Sequence, residues 1–307
     1  MAKKGGSGKR ASETGPSWVK FSGNPVLGGD LGTIFDVSVL LEQDVYRMWM
    51  SWRPQRSIAF VVSSDGEHWS APAISLAPNQ TTNWEVEVNR PCVVHHGDLY
   101  HMWYTGQAKG RSSIGYATSP DGVSWTRASS EPVFVPLNKW EKGALMCPHV
   151  LWDEHMQVYR MWYSGGEQYE PNAIGYATSE DGIHWNRLND PVFTPAKELA
   201  WERDRVAACQ VIQHNGWHLM FYVGFANIHQ ARIGLARSRD GILGWERHPA
   251  NPIIAPTSGQ WDQDACYKPY AIYNGERWLL WYNGRRGKVE QIGVAFHDTE
   301  DLWGNDL

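Results

Sequence analysis

The segments Tyr46-Arg47-Met48-Trp49, Tyr100-His101-Met102-Trp103, Tyr159-Arg160-Met161-Trp162, His218-Leu219-Met220-Phe221 and Trp278-Leu279-Leu280-Trp281 return at intervals of about 55 to 60 residues. Self-similarity at a fixed period constrains a fold more than any other feature of a sequence. Each segment alternates in side-chain character as a strand does. A polar loop follows each one. Then comes a further strand: 57–62, Ile114-Gly115-Tyr116-Ala117, Ile174-Gly175-Tyr176-Ala177, Ile233-Gly234-Leu235-Ala236 and Ile292-Gly293-Val294-Ala295. In four repeats a tight turn leads on to a tryptophan: Asp65-Gly66 to Trp69, Asp121-Gly122 to Trp125, Asp181-Gly182 to Trp185 and Asp240-Gly241 to Trp245. Asp-Gly supplies the positive φ of a short hairpin, and the tryptophan opens an outer strand. One more strand precedes each aromatic segment, at 34–41, 88–94, 145–151, 206–212 and 266–273.

Four antiparallel strands per repeat make a propeller blade. The chain is therefore expected to be all-β, a five-bladed β-propeller forming a single domain over residues 17–307. The last repeat lacks an Asp-Gly turn and an outer strand after Phe296, whereas the chain opens with Trp18 and then Asn24-Pro25, matching Trp245 and Asn251-Pro252. Residues 17–22 should complete the fifth blade and so remove the free edges that invite aggregation.

Composition excludes several classes. Eighteen Trp, 13 Tyr and 30 Gly in 307 residues suit short strands and tight turns. Residues 1–16 carry Lys3, Lys4, Lys9 and Arg10 with no apolar stretch behind them, so they read as a disordered tail and not a secretory signal. No run of 18 apolar residues is present to span a bilayer. The four cysteines are widely separated with no C-x-x-C spacing, which implies neither a zinc site nor a disulfide framework and points to the cytoplasm. A net charge of −5 argues against a nucleic-acid partner. No metal or cofactor is implied, and oligomeric state is not indicated.

The strand preceding each aromatic segment should be innermost. Its period of two separates an apolar set (Val37, Val39, Pro91, Val93, Pro148, Val150, Cys209, Val211, Pro269, Ala271) from a mostly polar one (Asp36, Ser38, Arg90, Cys92, Cys147, His149, Ala208, Gln210, Lys268, Tyr270). Burying Asp, Arg, His and Lys between blades without partners costs several kcal/mol each, so the polar set is expected to face the central channel. Such a set can be a ligand site or a satisfied ion-pair network along the axis. Loops leading into the inner strands share Trp84-Glu85, Trp140-Glu141, Trp201-Glu202 and Trp261-Asp262. Arg53 lies on the same rim, and Trp52, Tyr169 and Phe225 are placed to stack on a ring.

Across residues 17 to 300, the Tyr-Arg-Met-Trp-Tyr, Ile-Gly-Tyr-Ala-Thr-Ser and Asp-Gly-x-x-Trp elements resemble those of the five-bladed propeller glycosidases of glycoside hydrolase families 43, 32 and 130. The resemblance implies a glycoside hydrolase working with a carboxylate pair, by inversion. Its alternatives are a glycoside phosphorylase using phosphate and a non-catalytic carbohydrate-binding propeller. These families place a carboxylate on the inner strand of the first blade, and Asp36 in Phe35-Asp36-Val37 matches it as base or nucleophile. In the second blade, families 32 and 130 carry Arg-Asp-Pro and Glu-Asp-Pro-Arg; this chain reads Glu87-Val88-Asn89-Arg90-Pro91, without the aspartate. No Glu-Cys dipeptide is present either. The second carboxylate is then sought among Glu87, Glu167, Asp204 and Asp264, because glycoside cleavage needs one carboxyl to protonate the leaving oxygen and another to activate water or attack. Asn89, Arg90, His149, Gln210, Lys268, Tyr270 and Arg53 are expected to orient a carbohydrate substrate, a phosphate or an anionic sugar.

Overall fold

The computed structural model describes residues 17–303 apart from 168 and 169. The expected tail at 1–16 and Tyr169 lie outside the described residues. The chain is all-β, a β-propeller of short antiparallel sheets. The strands in order are β1 (Val19–Lys20), β2 (Ile34–Glu42), β3 (Val45–Trp52), β4 (Ser57–Ser63), β5 (Ala73–Leu76), β6 (Glu87–His96), β7 (Leu99–Ala108), β8 (Arg111–Ser119), β9 (Thr126–Arg127) and β10 (Ala144–Asp153). They continue as β11 (Val158–Glu167), β12 (Glu170–Ser179), β13 (Asn186–Arg187), β14 (Arg205–His214), β15 (Trp217–Asn227), β16 (Gln230–Ser238), β17 (Glu246–Arg247), β18 (Ala265–Tyr273), β19 (Trp278–Arg286) and β20 (Val289–His297). Among the described residues no helix is long and apolar enough to cross a membrane.

Pairing runs β2-β3-β4-β5, β6-β7-β8-β9, β10-β11-β12-β13, β14-β15-β16-β17 and β18-β19-β20-β1. One parallel bridge, Ala144 to Ser112, joins the second and third of these groups. The N-terminal residues take the outermost place in the last group. Val19 pairs with Phe296, Leu27 bridges Ile292, and the Asn24 side chain exchanges two 2.8 Å hydrogen bonds with the Val294 backbone. Asn251 does the same to Leu235 one group earlier, at 2.8 and 2.9 Å. The N-terminal strand thus pairs with β20 over Val19–Lys20, inside the expected 17–22.

Apolar cores lie between neighbouring sheets. Trp49 and Ile58 pack on Val88 and Met102, Trp103 on Met161, Trp162 on Met220, Phe221 on Leu280, and Trp281 back on Met48. The innermost strands follow the same circuit, β2 beside β6, β6 beside β10, β10 beside β14, β14 beside β18, and β18 beside β2. Indole N–H groups cross the same seams. Trp49 donates to Gly122 O (2.7 Å), Trp103 to Gly182 O (2.9 Å), Trp162 to Gly241 O (2.8 Å) and Trp281 to Gly66 O (2.9 Å). Each acceptor is the glycine of the next group's Asp-Gly turn. The last group has no such turn, and the residue that would donate to it is Phe221, with no N–H to satisfy.

The Trp-Glu motifs form a repeated clamp. Glu85, Glu141, Glu202 and Asp262 are wholly buried. Each accepts from a tyrosine hydroxyl, Tyr104 (2.8 Å), Tyr163 (2.9 Å), Tyr222 (2.5 Å) and Tyr282 (3.1 Å). Each also pairs with a cation from the outer strand: Arg127 (2.9 Å), Arg187 (3.0 Å), Arg247 (2.6 Å) and Lys20 (2.5 Å). A buried carboxylate is tolerated only when paired and hydrogen-bonded in this way. The preceding tryptophans lie flat on glycines: a Cβ on Gly106 would come within 2.2 Å of the Trp84 ring.

Candidate functional site

The innermost strands are not regular. A register shift interrupts each pairing, at Phe35/Val37, Asn89/Cys92, Met146/His149, Ala207/Gln210 and Tyr267/Tyr270. At every shift one non-glycine residue takes a left-handed φ: Asp36 (51°), Arg90 (54°), Cys147 (52°), Ala208 (49°) and Lys268 (50°). These are β-bulges, and such backbone outliers gather at functional sites. The bulge amides are held by the preceding sheet. Asp36 N donates to Asn283 Oδ1 (2.9 Å), Arg90 N to Ser51 Oγ (2.7 Å), Cys147 N to Thr105 Oγ1 (3.2 Å) and Ala208 N to Ser164 Oγ (2.8 Å). The corresponding residue before Lys268 is Val223, which accepts nothing.

All five bulge residues line one cavity of about 420 Å³. Asp36 is 4% exposed. Its Oδ2 lies 3.1 Å from Arg90 Nε, and its Oδ1 accepts Asn283 Nδ2 at 2.5 Å. Arg90 is fixed in turn by Asn89 Oδ1 (2.6 Å) and Gln107 Oε1 (3.3 Å), and Asn89 Nδ2 donates to the same Gln107 oxygen at 2.8 Å. Asn89 therefore stands behind Arg90 and positions it. Arg53 reaches the wall over the Phe35 ring, 4.5 Å from its centroid. Cys147 Sγ is 4.0 Å from Asp36 Oδ2; burial first and the Asp36 charge second push its thiol up to about 11, so it is no thiolate nucleophile at neutral pH.

A second carboxyl on this wall comes from Glu290, near the start of β20. Its side chain is 16% exposed, shares a hydrogen bond with Tyr267 and lies 3.7 Å from Arg53. Burial raises its pKa, Arg53 opposes, and the nearby Asp36 charge raises it further. Sequence reasoning missed this residue. Its signal was positional: two places before the Ile-Gly of the third strand the other repeats carry Arg56, Ser112, Asn172 and Ala231, and only here a carboxyl.

The expected acids lie elsewhere. Glu87 is half-buried at the start of β6 and off the cavity lining. Glu167 is 63% exposed and paired with Lys142 at 2.9 Å. Asp204 pairs with Arg205 Nε at 2.7 Å. Asp264 accepts Gly287 N at 2.7 Å in a separate surface cleft.

His149, Gln210 and Tyr270 also stay out of the cavity, although they share the inward register of the bulge residues. With Ser38 and Cys92 they form a belt that ties each inner strand to the next. Ser38 Oγ accepts Val93 N (3.0 Å), and Cys92 Sγ accepts Val150 N (3.1 Å). His149 Nε2 meets Val211 O (2.7 Å), Gln210 exchanges 2.9 and 2.5 Å bonds with Ala271, and Tyr270 returns to the Val39 backbone. Burial, reinforced by Lys268, lowers the His149 pKa to about 3, so this imidazole is a neutral donor. The belt separates the cavity from a second recess at the opposite end of the axis, lined in part by His149, Gln210 and Tyr270.

An all-β propeller with two carboxyls lining one cavity is a construction suited to glycosidic bond cleavage, and comparison with known proteins agrees. Residues 22–294 match the model of the family described as glycosyl hydrolases family 43. The chain belongs to that family and is a glycoside-cleaving enzyme. It is 30% identical over 271 residues to an uncharacterised protein of Mycobacterium tuberculosis, covering 81% of this chain and 87% of the relative. Identity to a 1,2-beta-oligomannan phosphorylase of Thermoanaerobacter sp. is 32% over 195 residues, 59% of each chain. Among solved structures, a glycosyl hydrolase from Bacteroides ovatus superposes with a TM-score of 0.74 at 17% identity, covering 95% of this chain and 96% of that one.

Proposed function

We propose that the chain is a five-bladed propeller that hydrolyses a glycosidic bond in the cavity of the bulge residues, with Asp36 as general base and Glu290 as general acid. The blade count is supported by the pairing groups and by the circuit of cores and indole bonds that returns from Trp281 to Gly66. The observation that carries the chemistry is the contrast between the two carboxyls. Asp36 is held by the Arg90 guanidinium and the Asn283 amide, with only acceptor atoms to offer a water. Burial and the nearby Asp36 charge raise the Glu290 pKa, the direction a general acid needs. Of two carboxyls lining one cavity, the one held by a guanidinium and an amide is placed to act as base, and the one whose pKa burial raises is placed to act as acid.

In this scheme the Glu290 proton passes to the glycosidic oxygen as the bond from the anomeric carbon breaks. Asp36 takes a proton from the water that forms the new bond on the opposite face, inverting the centre. Phosphorolysis is the second reading, favoured by the identity to the oligomannan phosphorylase; phosphate then replaces water as the attacking group. The test is Asp36→Asn against a panel of aryl glycosides, with and without phosphate. Loss of turnover with sugar binding retained is expected. Wild-type protein that binds sugars but turns none over under either condition would reduce the site to a binding module.

A further inference from the structure

Buried ions elsewhere in the fold have partners: Arg160 has Asp153 at 3.1 Å, and the clamp carboxylates have their arginines. Lys268 does not. It is 2% exposed on the cavity wall, and its ammonium makes no hydrogen bond or ion pair among the described residues. Its electrostatic neighbours are Cys92, Cys147, Cys209 and His149. The three thiols are raised to about 11, 11 and 12 by burial, and the histidine is neutral, so none offers a counter-charge at neutral pH. The two cavity carboxyls are engaged by others, Asp36 by Arg90 and Asn283 and Glu290 by Tyr267 and Arg53.

Two further donors among the residues lining the cavity lack acceptors. Gln107 Nε2 is buried and unbonded, and the side chain cannot be flipped to relieve it, because Asn89 Nδ2 and Arg90 both donate to its oxygen. Arg285 Nε is likewise unbonded, while its Nη2 donates to His229 O at 2.9 Å. A sugar hydroxyl satisfies a donor but leaves an isolated buried ammonium uncompensated, and that imbalance is costly. An oxyanion answers both needs.

We propose that Lys268 is the charged centre of an oxyanion subsite on this wall, with Gln107 and Arg285 as further donors, so that the ligand brings a phosphate or a carboxylate into the cavity. The inference rests on the cavity being the catalytic site. The oxyanion has two sources, inorganic phosphate as attacking co-substrate or a carboxylate on the sugar itself, as in a uronic acid.

Thermal denaturation and calorimetric titration of the full chain decide it, with inorganic phosphate, glucuronate and neutral glucose as probes and Lys268→Met as the variant. Wild type should bind phosphate or glucuronate, and Lys268→Met should bind that probe at least tenfold more weakly. Without anion the variant should melt at the wild-type temperature or above it, since removing an unpaired buried charge relieves the fold. Phosphate binding alone assigns a co-substrate, and glucuronate binding alone assigns an acidic sugar. No binding of either anion to wild type, equal binding by the variant, or a markedly lower melting temperature of the variant would each overturn the subsite. Asp36→Asn should keep the anion binding, so a failure of the catalytic assignment reads separately, as turnover that survives Asp36→Asn.

Discussion

Joining the two chain ends leaves one clamp dependent on the N-terminal segment, and this gives a stability prediction that can be worked from geometry. In three sheets the clamp cation is an arginine of the sheet's own outer strand; in the last it is Lys20, some 240 residues away in sequence from Asp262. Lys20 Nζ also donates to Ala255 O (2.6 Å) and Thr257 Oγ1 (2.9 Å). Lys20→Met retains the aliphatic stem and removes the charge. Asp262, 1% exposed at its side chain, then keeps only Tyr282 OH at 3.1 Å, Thr257 N at 3.3 Å and the Cys266 thiol at 3.5 Å. Stranding one member of a buried pair costs about 3–5 kcal/mol, and the 24% exposure of Lys20 places this case near the lower end. For a chain of this size about 3 kcal/mol corresponds to a fall in melting temperature of roughly 4–6 °C. Scanning calorimetry measures it directly. Lys20→Met/Asp262→Leu removes both charges and should recover part of the loss, giving a coupling energy of about 1 kcal/mol or more. A single variant that melts within about 2 °C of wild type, or a double variant that loses the sum of the two singles, would show that the clamp does not hold the closing strand.

Glu290→Gln should lower kcat by about 10²–10⁴ for glycosides with poor leaving groups, and far less for activated aryl glycosides that depart without a proton. Because the Glu290 pKa is raised, wild-type activity should fall as pH rises through it, and that alkaline limb should vanish in Glu290→Gln; an unchanged pH–rate profile would remove the acid assignment. His149 is a structural donor, so His149→Gln should leave KM for the sugar within about twofold. Its depressed pKa also sets a stability slope. Below about 6.5 the unfolded chain binds a proton that the folded imidazole refuses down to about 3, so folding stability is lost as pH falls, by about 2 kcal/mol at pH 5. Urea titrations at pH 7 and pH 5 should show this loss shrinking in His149→Gln, and equal losses in both proteins would contradict the neutral belt.

Much of the scaffold was legible because its signals are local and repeated. Asp-Gly turns, Ile-Gly-Tyr-Ala strands and the Trp18 and Asn24-Pro25 opening each have counterparts elsewhere in the chain, and the strands fall where those signals put them. The inner strands 34–41 and 88–94 were read to within a residue or two of Ile34–Glu42 and Glu87–His96. The site was legible only as far as strand periodicity holds. A period of two groups Lys268 with Tyr270 and Cys147 with His149, yet the bulge between them sends one member to the cavity and the other to the belt. Nothing in a single sequence marks a bulge at a non-glycine residue. Glu290 was missed for a different reason. It sits on a hairpin rather than an inner strand, and its neighbour Asp36 is over 250 residues away, so only the packing of β2 beside β20 brings them together.

The five bulges separate two tasks that a strand residue usually performs at once. Their backbone is fixed from outside, four of the five amides being held by a side chain of the preceding sheet, and the side chain carries no share of the ladder. Such a position can change its chemistry without renegotiating the fold around it. Read around the axis, the present letters are Asp, Arg, Cys, Ala and Lys. A propeller built this way is a socket with five interchangeable pins, and a new specificity can arise by exchanging a pin while the socket stays as it is.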